Sequence, residues 1–522
     1  MRMSKQTDCT IQFGAFLQTL GMPGHRFRKE FSIRCCSRDA MSTLLVAKLS
    51  GPSSKGVNRV MSRIMRFPLR GVQGRSFGMG RSASQPDVVI GAGVIGMYTA
   101  YSLAKRGRNV VVLDQAQGAA TGSSLINGTL ICPSLMLPWT GPQMIPKLLK
   151  SFVQRGHPLK VHPKVLAQPE LYYFGLHYLA SCRPGQDRLS TRRLANLASY
   201  SRNCMQELFQ LHPELDAHMD RAALGTLQIF DSKDSAQACL EASREIQHAG
   251  VPLRMFAPED GDVPKELVVR LKELGLEALY LYSPLDTNGD CHKFTTFLER
   301  ECRKMGVGFR YGAQVEAFEQ NAAWNVVLHG QPAILASNVI LCAGIDSPRL
   351  AALLGLRLPM VPVKGYAITV PLKPGVSQLS SNVVQDSKKL YLAPVGRNLI
   401  RITGCAEFAG LDKSVDLNRA SILTQQADKL LPNCLDFSKA EYHAGLRPLS
   451  ADDVPIMGQC KPNFYLNTGH GSKGWTHAAG SGELIADLVT GTPQLDPASY
   501  SLDRFFQLRH RDAPYKFTLA AS

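Results

Sequence analysis

Asp87-Val88-Val89-Ile90-Gly91-Ala92-Gly93-Val94-Ile95-Gly96 is the stretch that decides the fold. Val88 to Ile90 is a short apolar run of the kind a buried parallel strand needs. Gly91 permits a tight turn out of it, Gly93 lets the backbone approach a pyrophosphate, and Gly96 lets the next helix pack closely on the strand. The spacing predicts a helix over Met97 to Arg106, whose N-terminal N–H groups and dipole favour a diphosphate; Val94 and Ile95 in the turn are counted with the cofactor contacts. Gly107 ends that helix, Asn109 to Leu113 is a second β-branched strand, and Asp114 stands at its tip. A carboxylate there, about 20 residues past the glycines, accepts from a ribose 2′-OH and disfavours a 2′-phosphate, which argues against NADP. Strand, turn, helix, strand and acid in order define a dinucleotide fingerprint, but the fingerprint alone does not separate NAD from FAD.

Near the other end the chain reads Gly445-Leu446-Arg447-Pro448 and then Asn467-Thr468-Gly469-His470-Gly471-Ser472-Lys473-Gly474-Trp475-Thr476. These put a cation, a His, a Trp and several bare-backbone positions into a short region, as a site for a planar cofactor and an anionic substrate requires.

The 522 residues are 44% hydrophobic and 19% charged, ample for a large core and two or three domains. The net charge of +17 resembles a nucleic-acid signal until it is mapped: residues 1–86 hold 15 Lys or Arg against 3 Asp or Glu. The rest is mildly basic and carries no zinc-finger or RNA-binding pattern, so no nucleic-acid partner is expected. The leader is rich in Arg and Ser, with a short amphipathic stretch at Met61-Ser62-Arg63-Ile64-Met65-Arg66-Phe67, and it resembles a mitochondrial transit peptide. A plastid or cytoplasmic address, or a later start at Met41, Met61 or Met65, stays open. No run of about 18 apolar residues predicts a membrane span; peripheral membrane association is left open. The 13 cysteines include no CxxC pair, which argues for reduced, mostly buried thiols, and no metal-ligand spacing occurs among the histidines, so no metal is expected.

Along the chain, helices are predicted over Arg188–Leu211, Ser235–Ala249, Phe294–Met305 and Glu483–Thr490. Strands are predicted over Gly225–Phe230, Gly308–Tyr311, Val339–Gly344, Val361–Pro371, Asn398–Ala406 and Asn463–Asn467. The nucleotide-binding pieces are split by two insertions. The expected fold is α/β, a Rossmann-like FAD-binding domain (87–139, 281–359 and 446–506) interleaved with a mostly antiparallel α+β substrate domain (140–280 and 360–445). Residues 1–86 form the leader and 507–522 a tail.

On these residues the chain, from about Asp87 to Phe505, resembles the FAD-dependent D-amino-acid dehydrogenases of the D-amino-acid oxidase superfamily. Gly225-Thr226-Leu227-Gln228, Asn288-Gly289-Asp290-Cys291, Lys364-Gly365-Tyr366 and the two C-terminal motifs carry the resemblance, with Gly480-Ser481-Gly482. It implies non-covalent FAD, hydride transfer from the α-carbon of a D-amino acid, and an imino acid hydrolysed to a 2-oxo acid and ammonia, with electrons passed to a quinone or another carrier. The chain departs from the family at Asn127-Gly128-Thr129-Leu130-Ile131-Cys132-Pro133, where Leu130 removes an amide from the expected flavin-facing loop, and from Asp262 to Tyr282.

Oxidation at an α-carbon needs a neutral amine, a C–H bond aimed at the flavin and a fixed carboxylate; no protein nucleophile is required. Arg447 is the candidate for the carboxylate because its planar fork matches it bidentately, against a structural Arg in a surface pair. Tyr366 has two readings, a donor to that carboxylate or packing between the domains. His470, between two glycines, faces either the flavin and substrate or a structural partner. Trp475 reads as core or ring packing, against a direct substrate contact. For the cofactor, the backbone N–H groups of Gly469, Gly471 and Gly474 are expected at the flavin pyrimidine edge with Thr476 beside them. Ala343 and Gly344 are expected close to the nucleotide, Ser123, Ser124 and Asn127 near ribose or phosphate, and Val315 on the strand that meets adenine. Two other functions compete: a secondary-amine (proline-like or sarcosine-like) dehydrogenase or oxidase, and a non-catalytic flavoprotein assembly factor of mitochondria.

Overall fold

The computed structural model describes residues 85–506 apart from 147, 149–157, 223–224, 257–279 and 492. The leader, most of the divergent 262–282 stretch and the tail therefore lie outside the described residues.

The fingerprint run forms the strand Asp87–Ile90, central in a six-stranded sheet. It pairs in parallel with Val110–Asp114 on one side and Asn338–Leu341 on the other. Gly308–Tyr311 and Phe464–Thr468 extend the sheet in parallel, and Ile456–Lys461 closes one edge antiparallel. Alternation explains why these strands are apolar throughout: Val89, Val112 and Ile340 face a layer of helices, whereas Val88, Ile90, Val339 and Leu341 face a three-stranded antiparallel sheet. That small sheet is Val315–Gln320, Trp324–Leu328 and Gln331–Ala336.

The helical layer comprises Val94–Lys105, Gln186–Leu211, Cys291–Lys304 and Gly474–Thr490. The predicted C-terminal helix, Glu483–Thr490, is thus one end of a longer one. Its earlier turns contain Gly474, Gly480 and Gly482, which read as loop residues because glycine is a poor helix former. Packing overrides propensity here. A Cβ on Gly480 would lie 2.9 Å from the Ser201 backbone, and one on Gly482 would lie 2.8 Å from the Tyr98 ring. The glycines let three helices close on one another. The helix predicted over Ser235–Ala249 is two, Lys233–Ala242 and Arg244–His248, broken at Ser243, whose hydroxyl bonds back to Cys239 O at 2.8 Å.

The second layer system is a nine-stranded sheet, mostly antiparallel. Its long strands Glu441–Ser450, Met360–Pro371, Leu399–Phe408 and Leu390–Val395 lie side by side in that order. One face packs on the helix Leu417–Leu430 through Tyr366, Ile368, Ile400, Ile402 and Leu423. Tyr280–Ser283 belongs to this sheet, and Glu441–Ser450 runs unbroken through the expected boundary at residue 445. The ten cysteines among the described residues form no disulfide.

Candidate active site

A cavity of about 1340 Å³ runs from the fingerprint turn to the face of the nine-stranded sheet opposite its helix. One end is lined by Gly91, Gly93, Val94, Ile95, Asp114, Val315, Ala343 and Gly344, the other by Gly365, Tyr391, Thr403, Arg447 and Trp139, with His470, Gly474, Trp475 and Thr476 between.

The nucleotide end is a cradle built by missing side chains. Gly91 has φ +110°, and a Cβ there would meet Cys342 O at 2.4 Å; a Cβ on Gly96 would meet Gly91 O at 1.9 Å. Gly93 is open apart from the Ser124 hydroxyl at 3.5 Å. Asp114 Oδ2 accepts from Ala92 N at 2.6 Å and Oδ1 from Ala116 N at 2.8 Å, which fixes the carboxylate at the mouth of the turn with lone pairs to spare. Two helix N-termini, at Val94 and at Gly474, line the same cavity. Their first-turn N–H groups have no acceptor inside the helix and carry the positive end of the dipole. This donor set, with a bare-backbone turn below it, fits a dinucleotide with its anionic diphosphate.

The loop residues serve as ties. Ser124 Oγ accepts from Val94 N at 3.1 Å, Ser123 Oγ donates to Leu446 O at 2.7 Å, and Asn127 Oδ1 accepts from Thr129 N at 2.7 Å. Leu130 lines the cavity from a two-residue strand paired with Thr287–Asn288. The glycines of the C-terminal motif need correction. Gly469, at φ +77°, turns the chain, and a Cβ there would meet Ile456 and Met360 at 3.4 Å; it does not line the cavity. The Gly471 N–H is given to Pro448 O at 2.8 Å, and only Gly474 of the three begins a helix with its N–H group unclaimed by that helix. Thr476 Oγ1 accepts from Cys132 N at 3.1 Å, and Trp475 packs in the core with its indole Nε1 left without a partner among the described residues.

At the substrate end Arg447 crosses the sheet. Gly365 on the neighbouring strand has no side chain, so the guanidinium passes over it and donates to Cys405 O at 2.8 Å, two strands away. Cys405 has φ +55°, a strained conformation for a side-chain-bearing residue. Burial lowers the Arg447 pKa, yet a guanidinium stays charged. No carboxylate pairs with it among the described residues. Tyr366 is not placed beside it. Tyr366 is among the residues that line the cavity, but strand alternation packs its ring in the core behind the sheet, and its hydroxyl donates to Glu407 Oε2 at 3.4 Å. Tyr391, which no sequence signal marked, lines the cavity as well, on the face opposite the Leu390 and Leu392 core packing. His470 lines the cavity with a buried, unpartnered Nε2, and burial pushes its pKa down to about 3, so it is a neutral imidazole. Lys473 pairs with Asp453, whose Oδ2 also accepts from Trp139 N at 3.0 Å, tying the wall of the cavity together.

The fold and this cavity define a flavoenzyme, and the chain belongs to the FAD dependent oxidoreductase family, whose model matches residues 88–488. A relative from Paramagnetospirillum magneticum, named D-amino acid dehydrogenase, is 36% identical over 422 residues, covering 80% of this chain and 98% of that protein. The same fold occurs in glycine oxidase from Geobacillus kaustophilus (TM-score 0.61, 20% identity, 80% of this chain and 98% of that one). It also occurs in L-proline dehydrogenase from P. horikoshii (TM-score 0.61, 19% identity, 81% and 98%). The protein is an FAD-dependent oxidoreductase.

Proposed function

We propose that this enzyme oxidatively deaminates D-amino acids to 2-oxo acids and ammonia, as a dehydrogenase that passes its electrons to a quinone or another carrier. The observation that carries the reading is Arg447, a partly buried guanidinium with no acid partner among the described residues, opening into the cavity that the fingerprint also lines. The name of the Paramagnetospirillum relative supports the D-amino-acid class.

Bound FAD supplies the acceptor for a hydride from the substrate α-carbon. Arg447 grips the substrate carboxylate through two parallel hydrogen bonds and so fixes the direction of the α-C–H bond. His470, neutral and shielded, offers a hydrogen-bonding edge without placing a second cation beside the amine. Trp475, Leu130 and Cys132 exclude water from the cavity wall. The imino acid leaves the enzyme's grip and is hydrolysed by water. Non-covalent binding of FAD is part of the proposal, as is a mitochondrial address for residues 1–86. Among the described residues no helix is long and apolar enough to cross a membrane.

Anaerobic bleaching of the bound flavin by D- and L-amino acids, proline and sarcosine tests the reading. D-amino acids should bleach it fastest. Preference for sarcosine or proline would establish a secondary-amine enzyme instead, and bleaching by none of them would sink both.

A further inference from the structure

The substrate end of the cavity contains a second polar element, one strand beyond the guanidinium. Tyr391 lies opposite Thr403 in the pairing of Leu390–Val395 with Leu399–Phe408, and both line the cavity. The Arg447 guanidinium reaches Cys405 O on that same neighbouring strand. The phenol and the guanidinium thus line the same end of the cavity from one sheet, the guanidinium over the strand that pairs with that of Tyr391. Trp139 roofs it, 6.0 Å from the Arg447 Cζ and 5.6 Å from the Lys389 Nζ.

The chemistry of the phenol follows from its partner. Tyr391 Oη is 3.0 Å from Asp386 Oδ1, and an ionised carboxylate only accepts, so the single phenolic proton points at Asp386. What Tyr391 presents to the cavity is then a lone pair. A carboxylate cannot use it, whereas an ammonium can. Arg447 has the opposite character, with donors only. The two groups sort the ends of a zwitterion.

We propose that Tyr391 receives the substrate's α-ammonium group and relays its proton to Asp386, which leaves the neutral amine that hydride transfer requires. The inference rests on the amine-oxidising reading above. In the step an N–H bond breaks and its electron pair stays on nitrogen. An O–H bond forms on Tyr391 as the original phenolic O–H breaks, and that proton bonds to Asp386 Oδ1. No electrons change hands. Asp386 is about half exposed at the cavity mouth, with a side-chain exposure of 55%, so the proton passes on to water. The titratable and charged groups facing this pair include Lys389, 2.7 Å from Asp386, the Cys239 thiol, which burial and Asp386 hold neutral, and Arg447 and Asp453 acting on Tyr391. Lys389 is ion-paired with Asp386. Tyr391 touches the substrate and is a catalytic residue; Asp386 acts through it and is a positioning residue.

The test uses the full-length holoenzyme and matched ligands: D-alanine, D-methionine and D-phenylalanine, against propanoate, 4-(methylsulfanyl)butanoate and 3-phenylpropanoate, which lack the amine. Affinity is read from perturbation of the flavin spectrum, and reduction from anaerobic mixing across pH. Tyr391→Phe should weaken the amino acids by about tenfold or more, the scale of a lost charge-assisted hydrogen bond, and leave the deaminated acids within about twofold. Asp386→Asn keeps an acceptor for the phenol but not a base. It should retain amino-acid affinity while the acid limb of the reduction rate moves up by about one pH unit. Equal losses for both ligand sets in Tyr391→Phe would make the tyrosine a carboxylate clamp and overturn the assignment. An unmoved acid limb in Asp386→Asn would overturn the relay. A parent enzyme reduced by no amine would sink the functional reading itself, and this inference with it.

Discussion

The guanidinium of Arg447 lies against the bare Cα of Gly365, so close that a Cβ on Gly365 would stand 2.1 Å from Nη2 and 2.3 Å from Cζ. The glycine is the groove through which the arginine crosses one strand to reach the carbonyl of the next. Gly365→Ala should therefore act as an arginine variant although it changes no charge. The guanidinium must move by an ångström or more, and misplacement of about 1 Å costs roughly 100-fold in rate. Anaerobic flavin reduction by D-amino acids should fall on that scale while FAD content and spectrum stay those of the parent. A variant that reduces at the parental rate would show that the arginine's position is not needed.

Arg447→Lys tests the fork and not the charge. An ammonium keeps the attraction for a carboxylate but loses the two parallel hydrogen bonds. The shorter side chain also forfeits the hold on Cys405 O. Substrate reduction should drop by about 100-fold with the flavin spectrum nearly unchanged. Parental reduction at equal substrate concentration would mark Arg447 as structural.

How far the sequence showed these features depends on the range of the interactions that made them. The fingerprint strand, turn and helix are legible because three glycines at fixed spacing answer local constraints: a turn, a phosphate approach and a helix seat. The Arg447 candidate was legible from residue type. Its partner Gly365 was visible as part of a motif, but the crossing of strands that explains it is tertiary. Tyr366 and Tyr391 mark the limit. Each is a tyrosine in a strand, and only the register and the bulge near residue 365 decide which packs its ring into the core behind the sheet. The C-terminal helix was read short for a similar reason, since the glycines that lower its propensity are there to admit other helices.

Gly480→Ala and Gly482→Ala should each destabilise the protein even though alanine is the better helix former. At Gly480 the added methyl meets the Ser201 backbone, which cannot rotate away. Overpacking of this kind costs about 1–3 kcal/mol. Thermal melts of the holoenzyme should show lower midpoints for both variants. Gly118→Ala, with nothing within 4 Å of its added methyl, is the control and should be near neutral. Melts unchanged at Gly480 would mean that the helices separate freely.

Asp114→Ala should weaken FAD binding by about 1–3 kcal/mol, the range for a lost charge-assisted pair. Two effects combine. The carboxylate that holds Ala92 N and Ala116 N is removed, which loosens the fingerprint turn, and the ribose loses its acceptor. Titration of apoprotein with FAD gives the change directly. Unaltered FAD affinity would place the ribose away from this residue.

Asp286 gives the protein a pH-dependent stability that can be isolated. It is 1% exposed and is held by Ser134 Oγ at 2.5 Å, Ser134 N at 3.2 Å and Ser283 Oγ at 3.2 Å. Burial nevertheless outweighs these donors and raises its pKa from 3.8 to about 6. The folded state therefore binds a proton more tightly than the unfolded chain does. Between the two values the folded state holds more protons, so stability falls as pH rises from about 4 to about 6 and is flat beyond. Two units at 1.36 kcal/mol each make the contribution about 3 kcal/mol, as an order of magnitude. Asp286→Asn carries no such titration. The parent's unfolding free energy minus that of the variant should decline across this window, while other titrating groups cancel in the difference. Chemical denaturation of both proteins at pH 4, 5, 6 and 7 reads it. A difference that stays constant with pH would mean that Asp286 binds its proton no more tightly in the folded state than in the unfolded chain, and that the donors from Ser134 and Ser283 balance its burial.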